Sequence, residues 1–328
     1  MFEAATILIT GGTGSWGHEL TGKLLSLQPK EIRIFSRNEF AQVRMQRTFD
    51  DHRIRFVIGD VRDADAVSEA CTGADYVFHL AALKHVPICE QQPDEALKTN
   101  VTGTENVIRA SIKHKVKKVI DVSTDKAVDP VNFYGMTKAF AEKYMIRANG
   151  LSATTRFVCI RGGNVLGTHG SVVPFFKERI LQNKDLPLTS SEMTRFLLTV
   201  SDAIDLLLAA SIDSVGGEIF VMKMKACRIV DLAEVMLDHY AKPSKSIRHT
   251  GIRPGEKLHE MLVSGFEASR TYRYGTHYYV ILPEKPTAEH LAYYPASSKA
   301  AIANYQSNQS LMNKTEIRKM LLQGGFLD

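Results

Sequence analysis

Three glycines behind a short apolar run set the first limit on what this chain can fold into. Ile7-Leu8-Ile9 leads into Thr10-Gly11-Gly12-Thr13-Gly14-Ser15-Trp16-Gly17, and Leu20, Leu24 and Leu25 then recur at helical spacing. A strand, a glycine turn and a helix start in that order predict a dinucleotide-binding unit. Gly11 allows the tight turn, Gly14 lets the backbone approach a pyrophosphate, and Gly17 lets the helix pack on the strand. Thr13, Ser15 and Trp16 share the loop and join the candidate cofactor contacts. The phosphates would rest on free N–H groups at the helix N-terminus.

Further strands are predicted to begin at Ile32, Phe56, Val77, Val119 and Val158, alternating with helical segments. That alternation predicts an α/β chain with a doubly wound parallel Rossmann sheet. Gly217-Glu218-Ile219-Phe220-Val221 reads as one more strand, returning to the sheet near residues 216–223. The expected division is a nucleotide-binding domain over residues 1–167. Residues 168–328 would mainly form a smaller, mixed substrate-binding lobe at the sheet's C-terminal edge.

Apolar residues make up 44% of the chain and charged residues 23%, as in an ordinary soluble enzyme. The formal charge of +5 does not call for nucleic acid, and an anionic nucleotide fits it equally well. No apolar run approaches the ~18–20 residues that span a bilayer, and the first residues run straight into a strand. Cys71, Cys89, Cys159 and Cys227 are scattered without metal-ligand spacing. The expectation is a cytoplasmic protein with buried free thiols, no metal, no membrane span and no nucleic-acid partner.

The second strand ends at Ser36-Arg37-Asn38, where an NAD site usually places an acid for the ribose 2′-hydroxyl. Arg37 suits a 2′-phosphate, which favours NADP over NAD. Strand Tyr76-Val77-Phe78-His79-Leu80 runs into Ala81-Ala82, small enough to leave room beside a cofactor, and then Lys84 and His85. Tyr134 precedes Lys138 by four residues, so both lie on one helix face. A free phenol has a pKa of about 10, and both a lysine ammonium and an oxidised nicotinamide favour its phenolate. Ser123-Thr124 follow a sheet strand towards the cofactor. Asp125 and Lys126 then add a second acid and a second base. Their alternative is a surface ion pair of little worth. One acid, two bases and a redox cofactor in a cleft suggest oxidation coupled to elimination.

The Gly-x-x-Gly-x-x-Gly spacing resembles the extended short-chain dehydrogenase/reductase superfamily. By that resemblance Asp60-Val61 is the adenine-edge contact. Thr99-Asn100-Val101 lies on the superfamily's Asn-bearing helix, with Asn100 bracing the backbone beside the cofactor. The match narrows at Ala82-Leu83-Lys84-His85-Val86-Pro87, Ser123-Thr124-Asp125-Lys126-Ala127, Gly163-Asn164-Val165-Leu166-Gly167, Gly170-Ser171-Val172-Val173-Pro174, Met193-Thr194-Arg195-Phe196 and the run Gly251 to Glu260. Together these resemble the soluble UDP-N-acetylglucosamine 4,6-dehydratases, the inverting branch above all.

The resemblance implies roles. Tyr134 would take the C4 hydroxyl proton as hydride leaves for NADP, with Lys138 holding the ribose. Lys126, if neutral, would take the C5 proton, and Asp125, if protonated, would donate to the departing C6 hydroxyl. Arg195 and Arg253 would clamp the diphosphate and Glu256 the ribose. Asn164 and Lys177 would reach the nucleotide, with Val173, Thr194, Lys84 and His85 also on the substrate side. A homo-oligomer is implied as well. One departure stands out: relatives show Arg-Tyr-Gly-Asn where this chain has Arg161-Gly162-Gly163-Asn164. A smaller residue there enlarges the pocket and leaves the outcome at C5 open. Tyr272, Tyr274, Tyr278 and Tyr279 are read as core, oligomer contact or pocket wall. The rival readings are a nucleotide-sugar 4-epimerase, a retaining or 5,6-ene-releasing dehydratase, and a non-enzymatic NADP sensor.

Overall fold

Strand β1 (Thr6–Thr10) is buried along its whole length, as a strand covered on both faces must be. It pairs in parallel with β2 (Glu31–Ser36) on one side and β4 (Tyr76–His79) on the other. β3 (Ile54–Ile58) extends the sheet beyond β2, and β5 (Lys118–Thr124) and β6 (Arg156–Gly162) extend it beyond β4. Chain order therefore reverses on either side of β1, and a crevice opens at the C-terminal ends of β1 and β4. The structure is a computed structural model that describes residues 1–167, 171–240 and 247–327.

Side-chain alternation sorts the core into two layers. Ile7, Ile9, Ile34, Phe78, Ile120 and Ile160 face one side, under Leu20 and Leu24 of helix α1 (Ser15–Leu25) and Leu207 of helix Val200–Asp213. Leu8, Phe35, Val77, Val119 and Phe157 face the other, under Val107 of helix Gly103–Lys113 and Met145 of helix Phe133–Asn149. A third core, with Phe176, Leu197, Leu232, Met236 and Leu321, joins helices Val172–Leu181, Ile229–His239 and Lys314–Gln323.

Strand Ile219–Met222 runs parallel to β6, so a late segment does return to the sheet. The sheet then continues further than the sequence suggests. Tyr278–Ile281 and Thr271–Tyr274 add two antiparallel strands and bring the total to nine. The tyrosine-rich segment is thus sheet edge and core. Tyr272 is buried against Tyr294, with ring centroids 6.5 Å apart.

A buried ion cluster ties the sheet to the helix that carries Tyr134. Arg161 on β6 donates two hydrogen bonds of 2.7 Å to Glu142 on helix Phe133–Asn149. It donates two more, of 2.9 and 2.8 Å, to Glu267. Burial opposes the Glu267 carboxylate, but Arg161 outweighs it and holds the group down to about 2. Among the described residues, Arg161→Ala would leave the buried Glu142 carboxylate unpaired and Glu267 with only the Arg270 cation, at 3.8 Å, and should destabilise the protein by roughly 3–5 kcal/mol in a urea titration. A depressed carboxyl contributes stability above its unfolded pKa and loses it as pH falls through the folded value. The gap between wild type and variant should therefore narrow from about pH 4.5 down to about pH 2.

Candidate active site

The crevice beside β1 widens into a cleft of about 610 Å³. Gly11, Thr13, Gly14, Ser15, Trp16 and Gly17 line one wall. Gly11 has φ +67°, and a Cβ there would lie 2.8 Å from Ala81 Cα. A Cβ on Gly17 would lie 2.0 Å from the Gly12 carbonyl oxygen. Both glycines are therefore demanded by close backbone approach. Gly14 is the N-cap of α1 and supplies no side-chain acceptor, so the first-turn N–H groups stay open to an anion. A nucleotide pyrophosphate fits this cradle. His79 fixes the loop from below, linking Thr10 Oγ1 at 2.7 Å and Thr104 Oγ1 at 3.1 Å. Burial pushes its imidazole down to about 3, so it is neutral.

At the outer end the cleft is lined by Ser36, Arg37, Asp60 and Val61. Arg37 Nη1 lies 3.5 Å from Asp60 Oδ2 and its side chain is 53% exposed. Asp60 is gripped more tightly by Arg62, at 2.6 Å. Ala81, Ala82, Lys84 and His85 line the opposite rim. Burial lowers the pKa of Lys84. Asn100 is not in the cleft. It is buried beneath it, accepting from the Leu83 N–H at 2.8 Å and donating to the Leu83 carbonyl at 2.9 Å. The residue braces the Leu83 backbone.

The inner end is built by β5 and the helix Phe133–Asn149. β5 delivers Ser123 and Thr124, and a 3₁₀ turn at once places Asp125 and Lys126. Asn132 caps the helix by accepting from the Gly135 N–H at 2.7 Å, which orients Tyr134 and Lys138. Lys138 Nζ lies 3.1 Å from Asp121 Oδ2, both deeply buried. Burial opposes the Lys138 charge, but Asp121 keeps it above the ordinary lysine value. For Tyr134 burial wins over Lys138 and Lys126 and raises the phenol, so the resting group is a neutral phenol.

Asp125 is fully buried, so the pair it makes is no surface ion pair. Its Oδ1 accepts from Thr124 Oγ1 at 2.9 Å and from Lys126 Nζ at 3.0 Å. Burial raises the Asp125 carboxyl, with Lys126 opposing. Lys126 also donates to Asn164 Oδ1 at 3.2 Å and lies 3.3 Å from Glu260 Oε1. Burial disfavours its charge, but Asp125 and Glu260 together raise its pKa above that of free lysine. Lys126 is thus an ammonium in the resting site, so the neutral form on which its base role is conditional is not the resting one. Glu260 is the residue that spacing did not single out. The available signal was chemical: a lysine at the end of a buried strand needs counter-charge.

Several expected substrate contacts are occupied elsewhere. Arg195 is buried and donates to the carbonyls of Thr194, Lys257 and Leu258 at 2.7, 2.9 and 3.2 Å. Its guanidinium also pairs with Glu256 at 3.5 Å, so neither residue presents its charge freely to a diphosphate or ribose. Thr194 Oγ1 is buried between His259 Nδ1 at 2.9 Å and Ser307 Oγ at 2.6 Å. Val173 is core, and its neighbours Ser171 and Val172 line the cleft instead. Lys177 lies over the Tyr240 ring, 5.9 Å from its centroid, outside the cleft lining. Arg253 is exposed on its loop. Gly170 lies outside the described residues.

Residues 7–282 match the polysaccharide biosynthesis protein family. The chain belongs to that family. A UDP-N-acetylglucosamine 4,6-dehydratase (inverting) of Campylobacter jejuni is 45% identical, covering 86% of this chain and 84% of that protein. A UDP-glucose 4-epimerase of Rickettsia bellii is 42% identical, covering 98% and 96%. The X-ray structure of Pen from Bacillus thuringiensis superposes with a TM-score of 0.90 at 37% identity, covering 98% and 99%. The family member described here has the fold of the extended short-chain dehydrogenases/reductases. Its single tryptophan, Trp16, lines the cleft and should report occupancy. Adding NADP or NAD should quench its fluorescence saturably. Gly17→Ala, whose Cβ cannot be placed, should abolish that response.

Proposed function

We propose that this protein is a UDP-N-acetylglucosamine 4,6-dehydratase that inverts C5 and uses NADP. The observation that carries this reading is the buried Asp125 reaching Lys126 at 3.0 Å beside Tyr134. Moving hydride to and from C4 needs only Tyr134 and Lys138. An added carboxyl and amine, hydrogen-bonded to each other, suit loss of water.

The glycine cradle, Ser123, Arg37 and Lys138 would hold the dinucleotide. When bound, that group accepts hydride from C4 and delivers hydride to C6. The resting Tyr134 phenol first gives its proton to solvent, its phenolate favoured by the two ammonium groups, Lys138 and Lys126, that oppose burial, and then receives the C4 hydroxyl proton. Elimination then needs a base at C5 and an acid at the C6 oxygen. Transfer of one proton from Lys126 to Asp125 supplies both at once. The neutral amine removes the C5 proton, and the carboxylic acid protonates the departing hydroxyl, which leaves as water. Burial of Asp125 favours this transfer. Tyr134, still carrying the proton it took from the C4 hydroxyl, returns a proton to C5 on the face opposite to its departure, which inverts that centre and restores the phenolate. Hydride leaves and returns, so the net change is loss of water. Arg253 on its exposed loop is the guanidinium we assign to the diphosphate.

A 4-epimerase is the second reading, favoured by the 98% coverage of relatives that carry that name. Proton NMR with UDP-N-acetylglucosamine in heavy water separates the two. The expected result is a new C6 methyl signal, deuterium at C5 and coupling constants of the inverted sugar. Retention of every C6 proton, with only C4 changed, would move the assignment to epimerase. Lys126→Ala should keep dinucleotide binding and slow methyl formation at least about 100-fold. Arg37→Ser should weaken NADP binding about tenfold or more, through loss of a charge-assisted contact. NAD binding should stay within about twofold, and equal weakening of both would remove Arg37 from cofactor choice.

A further inference from the structure

The Lys126 ammonium has three N–H donors, and three acceptors surround it: Asp125 Oδ1 at 3.0 Å, Asn164 Oδ1 at 3.2 Å and Glu260 Oε1 at 3.3 Å. The third acceptor comes from far along the chain. Glu260 is only 2% exposed, and its Oε2 is buried without a hydrogen-bond partner. Its backbone is seated by a segment nearer the C-terminus. The Glu260 N–H donates to Ser307 Oγ at 2.9 Å, and the Ser307 N–H donates to the Glu260 carbonyl at 2.8 Å.

We propose that Glu260 is a positioning residue for elimination: seated by Ser307, it anchors the Lys126 amine against Asp125 and sets when that amine releases its proton. The inference rests on the dehydratase reading above. If Lys126 passes a proton to Asp125, the lone pair left on the amine is the one that takes the C5 proton, and the new carboxylic acid turns its O–H to the C6 hydroxyl. The two remaining N–H groups then still have Asn164 and Glu260 as acceptors. Glu260 thus holds the amine before and after the transfer, and no reacting atom needs to touch it.

The charged and titratable groups facing Lys126 are Asp125, Glu260, Arg195 and Tyr134, with Lys257 close by. Arg195 and Lys257 also face Glu260. Glu260→Gln keeps a hydrogen-bond acceptor and removes the charge, leaving both cations less opposed. Lys126 must then release its proton more readily. The test follows methyl formation and C5 deuteration across neutral to alkaline pH, in wild type and variants. The falling alkaline limb, where the Lys126–Asp125 pair loses its shared proton, should move at least about one unit towards lower pH in Glu260→Gln. Dinucleotide quenching of Trp16 should be unchanged. Glu260→Asp, which keeps the charge but draws it back, should fall between the two. If the Gln variant does not fold, the displacement in Glu260→Asp decides alone. A wild-type limb in an active variant would overturn this inference and leave the dehydratase reading standing. A wild type that forms no methyl product would overturn both.

Discussion

Charge that lies away from water must be paired, and β5 does that pairing for the whole site. Asp121 within the strand holds Lys138, and Asp125 just past its end holds Lys126. β5 lies between β4 and β6 inside the sheet, so both carboxylates are fully buried. Each is acceptable there only because an ammonium answers it. Tyr134 then stands near two cations whose positions the sheet dictates. The phenol remains neutral at rest because burial outweighs them. Ionisation is left to the moment when a ligand changes the balance. The same logic fixes the helix behind it, through Arg161 and Glu142.

Features that depend on neighbours in sequence were legible from the sequence. The glycine loop, the Tyr134–Lys138 spacing and the strand starts all follow from local geometry, and the sheet forms around them as expected. Features that depend on which distant loop arrives next were not. Arg195 looks like a phosphate ligand by residue type, yet three carbonyls and Glu256 take up its donors. Thr194 and Val173 sit in the right motifs but face inward, since a motif does not say which of two adjacent residues meets solvent. Lys126 appears as a base when read alone. Asp125 beside it, with Glu260 from more than a hundred residues away, holds its proton more firmly than a free lysine would.

The loop that carries Glu260 shows why those inward-facing residues matter. It is clamped along its length: Asn132 donates to the Gly255 carbonyl at 2.8 Å, Arg195 to those of Lys257 and Leu258, and Ser307 closes its end. Asn132 is also the cap of the Tyr134 helix, so one residue registers the loop against that helix. Ser307 lies beyond residue 282, where the family match ends, and strand Tyr305–Gln306 pairs with Met261–Val263 directly after Glu260. The C-terminal segment is therefore part of the frame of the site. Arg195 and Thr194 hold that loop, through the Lys257 and Leu258 carbonyls and through His259. The carboxylate they help to deliver faces an amine that, on our reading, must hold its proton until Asp125 can take it. On the dehydratase reading the frame has a use in the chemistry, because an elimination depends on where the C5 proton goes.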